Sequence, residues 1–468
     1  MSPFRKALFV ACVSPLAMMA PRLAHADSIF QAMAKAYQNN PDLNAARAGL
    51  RATDEGVAIA KSGLRPQIAA SLGIQSSRDT GNLSTTVTGV DENSQPTRRT
   101  VQLGAVTTNS ATAGITLTQP IFDGFQTLNN VRAAKSNVFV GRQQLRGTEI
   151  SILQAAAQAY TNVGRDKQIV QIRRESLDFL REQLNAADAR LKVGEGTRTD
   201  VAQARAQLAA TRASLQSAIA QEASSEAVYR QIVGTAPSGI QFPPTRTKYV
   251  PNSLSTALSV GREENPDILA AQYSVDAQGY QVKSAEGALL PGVNLQGSVD
   301  TNNNGITETT VGASVNIPIY QGGAVTGQIR QAKELLGQQR IQVDSTRRQV
   351  DQNITSTWSQ YQAFKANISA QRESIDAAKL ALNGVVEERK VGQSTTLDVL
   401  DQQQILLNNQ ETLVTAQANA AVYGYMLLAY MGRLTVPRLD LNVPNYDPKV
   451  HYEETKDRWY GLRTVDGR

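Results

Sequence analysis

Four segments of the chain alternate between apolar and polar or small residues, and they come in two pairs. The first pair lies at residues 66–75 and 112–121, and the second at residues 291–300 and 309–319. A period of two is typical of β-strands with one apolar face, because successive side chains point to opposite sides. Segments of about ten residues also have the length of a transmembrane β-strand. The pattern therefore predicts four strands.

Two hairpins packed on a soluble core would show the same alternation, so the pattern alone leaves the surroundings of these strands open. If they enter a membrane, four strands are too few to close a barrel, and each unpaired backbone group in lipid costs several kcal/mol. An oligomer is then required. Two chains would give eight strands around a filled interior, whereas three would give twelve around an aqueous lumen. We favour three chains.

The strand pairs belong to two copies of one plan. Segments that precede the strands recur at an offset of 225 residues, and segments that follow them recur at an offset of 198. The difference of 27 residues is an insertion in the first copy, which we place between Ser76 and Asn109. That stretch is rich in Thr, Ser, Asn and Gly, a composition that predicts a long exposed loop.

Each copy also contains a long helix. Residues 126–191 and 324–390 contain no proline and are rich in Ala, Gln, Arg, Glu and Leu. At about 1.5 Å per residue, each helix would be on the order of 100 Å long. Turns that contain glycine follow at residues 192–199 and 391–397. The predicted returning helices are residues 200–233 and 398–431.

Two apolar stripes run side by side along the second returning helix, and each repeats every seven residues. One stripe consists of Val399, Leu406, Leu413, Ala420 and Leu427. The other consists of Leu400, Leu407, Val414, Ala421 and Leu428. Two adjacent stripes predict a helix with a neighbour on each side, as in the wall of a hollow cylinder. A dimeric coiled-coil rod is the alternative, but it does not account for the strand pairs.

The amino-terminal segment, residues 1–26, has the layout of a secretory signal peptide. Two basic residues precede an apolar run, and Ala24 and Ala26 form a cleavage site. A lipoprotein signal would require Cys12 as the lipidated residue. This interpretation is disfavoured, because the position before the cysteine that is usually leucine holds a different residue. Removal of the signal peptide deletes the only cysteine, so disulfides and thiolate–metal chemistry are excluded from the mature chain.

The mature chain is close to charge balance. Loss of Arg5, Lys6 and Arg22 with the signal peptide lowers the net charge from +6 to +3, which argues against nucleic acid as a partner. No mature segment approaches the roughly 20 consecutive apolar residues of a membrane-spanning helix. If the chain enters a membrane, it does so through its strands.

These observations divide the mature chain into two repeats. The first repeat is assigned to residues 27–234, the linker to 235–253, the second repeat to 254–432 and a carboxy-terminal segment to 433–468. The expected fold class is mainly α with a small transmembrane β part. It combines duplicated long-helix hairpins with four strands per chain.

In this order of elements, the motifs NPDL, LRPQI, QPIFDGF and VGEGTRTDV resemble those of the TolC family of outer-membrane efflux channels. The resemblance implies a homotrimer in the outer membrane of a Gram-negative bacterium, in contact with its lipid. It further implies a twelve-stranded β-barrel and a long periplasmic α-barrel. The linker and the carboxy-terminal segment would form a mixed equatorial collar.

The resemblance also implies a function. A family member is a tunnel that works with a periplasmic adaptor and an inner-membrane RND-type pump or ABC transporter to export drugs or proteins. Drug efflux and export of a toxin or protease leave the same marks in such a chain. No cofactor, resident metal or nucleic acid is implied.

By resemblance, the glycine turns lie at the periplasmic tip and carry two functions. One is docking of the adaptor's helical hairpin, and its candidate residues are Val193, Gly194, Gly196, Val391 and Gly392. The other is closure of the tunnel, and its candidate residues are Asp398, Asp401, Asp200, Thr199, Arg389, Ser394 and Arg198.

Asp200, Asp398 and Asp401 have two interpretations. An acid in the first turn of a helix gains about 0.3–1 kcal/mol from the helix dipole and needs no other function. In the family, the acids that match Asp398 and Asp401 surround the entrance. Carboxylates about 6 Å apart across a threefold axis would repel by roughly 3 kcal/mol per pair at an effective dielectric of 20. A closed ring should therefore raise their pKa values, bind cations that block the channel, or spread apart.

The second turn departs from the family pattern. Familiar members carry an arginine two residues after the glycine and a tyrosine three residues before it, where this chain has Ser394 and Arg389. Serine cannot form the forked, charged contact of arginine with a carboxylate. Arg389, or Arg198 in the first turn, is placed to bridge to Asp200 instead. Both arginines could equally be solvated charges.

Two other classes of function are alternatives to a channel. An enzyme is disfavoured, because His451 is the only histidine after the signal peptide and no phosphate-binding loop or metal-ligand spacing is present. The other alternative is a non-conducting outer-membrane coiled-coil scaffold or adhesin. Ion conductance distinguishes that scaffold from a channel.

Overall fold

The computed structural model describes residues 28–81, 83–242, 249–465 and 467. The predicted signal peptide and residues 243–248 of the predicted linker lie outside the described residues. The described chain divides into two compact units. The hairpin unit contains residues 28–35, 156–242 and 367–421, and the sheet unit contains residues 36–155, 249–366 and 422–465. Each unit combines segments from both sequence copies.

The sheet unit contains a four-stranded antiparallel sheet in the order β1-β4-β5-β6. Its strands are β1 (Gln67–Asp79), β4 (Val106–Phe122), β5 (Gly292–Asn302) and β6 (Thr307–Asn316). The central pair joins the two copies, since Ile115 of β4 lies opposite Val299 of β5. β6 ends earlier than predicted, before Pro318, whose backbone has no N–H group for a strand ladder.

The prediction of a long loop between Ser76 and Asn109 is wrong. β1 and β4 extend into this stretch, and a separate hairpin fills most of the rest with β2 (Leu83–Val90) and β3 (Pro96–Leu103). The described chain therefore has six strands instead of four. Thr and Val are abundant here, and both favour strands when a partner strand completes the hydrogen bonds. Composition pointed to a loop because it ignores this pairing.

The predicted apolar face of the strands is present as one continuous surface. Cross-strand partners lie on the same side of a sheet, and the register pairs Ile68 with Leu117, Ile115 with Val299, and Val293 with Val315. Most of these side chains are exposed, and Leu72 and Ile74 of β1 are 89% and 94% exposed. An exposed apolar face of this extent requires a partner or a lipid surface.

Each segment before the strands is split into two helices by an Asn-Pro pair. In the first copy these are α1 (Ile29–Asn39) and α2 (Pro41–Lys61), and in the second they are α5 (Leu254–Glu264) and α6 (Pro266–Gly287). Asn40 and Asn265 cap the second helix of each pair through their side-chain oxygens. The NPDL motif therefore codes for a helix break followed by a cap.

Each copy contains two long helices, one that follows its strands and one that follows its turn. They are α3 (Gln126–Lys192), α4 (Arg198–Val233), α7 (Ala324–Lys390) and α8 (Thr396–Tyr430). The returning helices α4 and α8 each begin two residues earlier than predicted, because threonine caps precede them. In the described residues, no helix is both long enough and apolar enough to cross a membrane.

The two stripes of α8 face two different neighbours within the hairpin unit, as predicted. Val399 and Leu406 are buried against Ile375, Ala378 and Leu382 of α7. On the other side, Leu400 belongs to a core with residues of α3 and α4, and Leu407 and Val414 pack against Ile172 of α3. Helix α8 thus packs against α7 of its own hairpin on one side and against α3 and α4 on the other. These apolar contacts join the two hairpins.

The carboxy-terminal segment continues the sheet unit. It contains the short helices α9 (Val436–Leu439) and α10 (Lys449–Thr455). α10 packs on α2, where the ring nitrogen Nδ1 of His451 lies 3.0 Å from a carboxylate oxygen of Asp54. Burial raises the pKa of Asp54, although its hydrogen bond with His451 opposes that rise. His451 is therefore a packing residue of this unit.

Candidate functional site at the helical turns

The two turns between the long helices have the same backbone. In the first turn, residues 193–197, Gly194 has a φ of 81°, and in the second turn, residues 391–395, Gly392 has a φ of 78°. This left-handed conformation favours glycine over residues with a Cβ atom. Val193 and Val391, which precede these glycines, are both 71% exposed. Each turn thus presents a valine and a glycine on its surface.

Gly196 has a different function from the other two turn glycines. A Cβ atom at Gly196 would lie 3.3 Å from Cβ of Arg190 and 3.2 Å from the backbone nitrogen of Leu191. At Gly194 and Gly392, by contrast, the space around a Cβ atom is open. Gly196 therefore allows close packing of the turn, whereas Gly194 and Gly392 leave an open surface.

Asp200 and Asp398 are both members of capping boxes. Thr197 Oγ1 accepts the N–H of Asp200 at 3.1 Å, and Asp200 Oδ2 accepts the N–H of Thr197 at 3.0 Å. The corresponding distances between Thr395 and Asp398 are 3.2 Å and 2.8 Å. Reciprocal bonds of this kind satisfy two backbone donors that a helix start would otherwise leave unpaired. Asp200 and Asp398 therefore both have the helix-start function, and their gate function stays a prediction.

These contacts lower the pKa of both carboxyl groups. For Asp200 the largest cause is the hydroxyl of Thr197, and for Asp398 it is the hydroxyl of Thr395. The direction is opposite to the rise expected for a closed ring of acids. Within one chain, capping thus keeps both carboxylates ionised.

Ser394 belongs to the second cap, because its hydroxyl donates to Asp398 Oδ2 at 3.1 Å. Asp401 lies three residues after Asp398 on α8 and is exposed. Arg198 and Thr199 are exposed in the first two positions of α4. Of the predicted gate residues, Asp398, Asp401, Arg198 and Thr199 are therefore exposed in the single chain.

Arg389 is buried and does not pair with Asp200. Its side chain is 5% exposed and donates from Nη1 to Gln183 Oε1 at 2.6 Å. No ion pair within 4.0 Å joins Arg389 to Asp200 in the part of the chain that the structure describes. Burial, followed by the charge of Arg190, lowers the pKa of Arg389, while the charge of Asp200 opposes this. Within the single chain, the charged guanidinium of Arg389 binds the neutral amide of Gln183 instead of Asp200, and a bridge formed between chains stays a prediction.

Sequence reasoning missed Gln183, Arg190 and the two capping threonines. The signal for the caps is present in the sequence, since Thr-x-x-Asp occurs at Thr197 and again at Thr395. No comparable signal marks the hydrogen bond from Arg190 Nη1 to the carbonyl oxygen of Arg389, at 3.0 Å. That contact depends on how two distant helix ends meet.

The chemistry of this site is that of a surface with fixed charges. Among the described residues, no three His, Cys, Asp or Glu side chains are grouped so that they could hold a metal ion. Asp401 and the two capped acids, together with the exposed valines, can bind cations or a partner protein.

Known proteins share both the sequence and the fold. Residues 32–235 and 257–433 match the family described as "Outer membrane efflux protein". The chain is 44% identical over 452 residues to the outer membrane efflux protein BepC of Brucella suis biovar 1 (strain 1330), which covers 95% of this chain and 94% of that protein. It is 25% identical over 448 residues to the outer membrane protein TolC of Escherichia coli (strain K12), with coverage of 88% and 83%. The Campylobacter jejuni CmeC outer membrane channel has a similar fold, with a TM-score of 0.74, 16% identity and coverage of 92% and 89%.

Proposed function

The chain belongs to the outer membrane efflux protein family, and we propose that three copies form one channel that serves a periplasmic adaptor and an inner-membrane transporter. The protein is an outer-membrane efflux channel of a Gram-negative bacterium. Its exported substrates are drugs or proteins, and its transporter is an RND-type pump or an ABC transporter.

The open edges of the sheet are the observation that supports a trimer. In the described chain, β1 and β6 are the edge strands of the four-stranded sheet, and its apolar face is exposed. In lipid, unpaired edges cost several kcal/mol for each unsatisfied backbone group. Pairing β6 of one copy with β1 of the next removes every edge when the ring closes. Three copies close twelve strands, which leaves an aqueous lumen.

The turns supply the docking surface for the adaptor. Val193 and Val391 are exposed beside glycines whose surroundings are open, and in a trimer the neighbouring helix ends would border each turn to form a shallow apolar groove. A helical hairpin could pack its apolar residues into such grooves. Gly194 and Gly392 keep the grooves open, and Gly196 maintains their shape.

The acids near the turns supply the gate. Three copies would bring together three Asp398 and three Asp401 side chains at the mouth of the channel, with Asp200, Arg198 and Thr199 beside them. Because capping lowers the pKa of Asp398, that ring would stay negatively charged at neutral pH and attract cations. Arg389 and Ser394 would act indirectly, by holding the helix ends and the second cap in place.

The experiment that tests this function combines mass and conductance. The detergent-solubilised protein should have the mass of a trimer, and the same preparation should conduct ions in planar lipid bilayers. A trimer without conductance would favour the scaffold or adhesin. A conducting monomer would contradict the proposed assembly.

A further inference from the structure

The carboxy-terminal segment places an aromatic cluster beside the start of the first sheet strand. The family match ends at residue 433, so this part of the chain has no function assigned by the family. Trp459, Tyr460 and Leu462 follow α10, and we call these three residues the tail cluster. They are 67%, 91% and 104% exposed. Three large apolar side chains in water within four positions need an explanation.

The tail cluster is held at a defined position. Lys61, the last residue of α2, forms an ion pair with Asp457. Arg65 donates from Nη1 to the carbonyl oxygen of Arg458 at 2.7 Å, and its guanidinium lies 4.8 Å from the centre of the Trp459 ring. A cation over the face of an indole ring is attracted by the ring's negative face. The cluster is thus fixed to the short connection between α2 and β1.

This connection is where the chain passes from helix to sheet. β1 begins at Gln67, two residues after Arg65, and its exposed apolar side chains begin with Ile68. In an outer-membrane channel these side chains face lipid. The tail cluster is therefore fixed at the level where the lipid-facing surface begins, on the side of the helices.

The chemistry of the cluster suits that level. Trp and Tyr are enriched at membrane–water interfaces, because their rings are apolar and their N–H or O–H groups remain hydrated. Lys61 and Lys456 are paired with acids and Arg65 is bound to the cluster itself, so Arg458 and Arg463 are the cations that can bind phosphate groups of lipids. Leu462 adds an aliphatic side chain that can enter the acyl region.

We propose that the tail cluster binds the periplasmic surface of the outer membrane and anchors the carboxy-terminal segment to its phospholipids. The proposal requires β1 to be inserted in the membrane, but it does not depend on the adaptor, the transporter or the gate. A neighbouring copy of the chain could also cover the cluster, and that possibility is an outcome of the test.

The two tryptophans of the chain provide a matched pair of probes. Trp459 is one, and the other is Trp358 on α7, which packs partly buried against an internal core with Ile354. The variant W358F leaves only Trp459 as the reporter, and the variant W459F leaves only Trp358. Each variant is reconstituted as the full-length protein in phosphatidylcholine vesicles whose acyl chains are brominated close to the head group.

In these vesicles Trp459 should lose about half of its emission relative to unbrominated vesicles, as expected for a ring at the interface. Trp358 should lose almost none. Channel conductance from the same vesicles confirms that the sheet is inserted, so a failure of insertion is recognised separately. If W358F impairs assembly, W358Y is used instead, because tyrosine keeps more of the indole's size.

Three results would overturn the proposal. Trp459 could be quenched by aqueous iodide and unaffected by bromine, which would place it in water. It could also be protected from both iodide and bromine, which would place it in an interface between copies of the chain. Bromine could also quench Trp358 as strongly as Trp459, and that result would equally contradict a specific anchor.

Discussion

Arg190 donates a hydrogen bond to the main-chain carbonyl oxygen of Arg389, and this bond joins the ends of the two long helices of one chain. The side chain of Arg389 is engaged elsewhere, with Gln183. The two turns are therefore tied by contacts between α3 and α7, in addition to a hydrogen bond between Asp200 and Thr396. Movement of one turn away from the other must break these contacts.

We expect Arg190→Ala to raise the resting conductance of the channel. Loss of one such hydrogen bond destabilises the joined arrangement by about 1 kcal/mol, which increases an open population about fivefold. Arg205→Ala is the control, because Arg205 is exposed on α4 and lies outside the predicted gate. Single-channel recordings in planar bilayers measure the effect. Equal conductance in both variants would show that the Arg190 contact does not hold the closed state.

Arg389 should couple to Gln183 more strongly than to Asp200. Arg389 bonds to Gln183 at 2.6 Å, whereas Asp200 acts on it only through space. In double-mutant cycles on thermal unfolding, we expect a coupling of about 1 kcal/mol for Arg389→Ala with Gln183→Ala. The cycle with Asp200→Ala should give less than about 0.5 kcal/mol. The reverse order would restore the predicted bridge.

Removal of a capping threonine should destabilise the start of the helix that it caps. We expect Thr197→Ala to cost about 1 kcal/mol of unfolding free energy, as is usual for an N-cap. Thr199→Ala, in the first turn of α4 but outside the capping box, is the control. Chemical denaturation of the full-length protein gives both values. Equal costs for the two variants would mean that the box contributes nothing.

The caps also predict a pH dependence. The folded pKa of Asp200 lies below its ordinary value of 3.8. The contribution of its ionised carboxylate to folding stability is therefore complete above that value and is lost as the pH falls through the lowered folded pKa. Thr197→Ala should therefore flatten the loss of stability below about pH 4. Melting temperatures measured at a series of acidic pH values test this. If the melting temperature of the variant falls with acidic pH as steeply as that of the unmodified protein, the pH dependence arises from other carboxyl groups.

Asp401 should carry the block by multivalent cations without a cost in folding. It is exposed and lies outside the capping box of Asp398. Asp401→Asn should weaken the block from the periplasmic side while leaving thermal stability unchanged. Asp398→Asn should affect both, because it also loses the cap. A block that persists in the variant with both changes would move the constriction elsewhere.

A leucine at Gly194 or Gly392 should impair adaptor docking more than assembly. The space around both positions is open, although a left-handed residue other than glycine costs roughly 1–2 kcal/mol. Gln393→Leu, next to Gly392 in the same turn, is the control for added apolar surface. Cross-linking to the adaptor reports docking, and gel filtration reports the trimer. Normal cross-linking of both glycine variants would refute the assigned groove.

The sequence was sufficient for the parts of the fold that rest on local periodicity. The seven-residue stripes of α8 predicted two neighbours, and both were found because apolar spacing determines which face is buried. It failed between Ser76 and Asn109, where strand formation depends on pairing with distant residues. At the site, Thr-x-x-Asp was readable, but the burial of Arg389 against Gln183 was not. That contact depends on the approach of two helix ends about two hundred residues apart in sequence.

The pairing of β4 with β5 has a consequence for the order of events during biogenesis. Ile115 and Val299 are partners in the centre of the sheet, yet they come from opposite halves of the chain. Contacts between residues so distant in sequence form slowly, because a large loop must close before they gain any stability. Pulse-labelled amide exchange during refolding should protect the long helices before β4 and β5. A chain exported only through its first copy therefore cannot complete its sheet, and insertion into the outer membrane must wait until β5 and β6 have reached the periplasm.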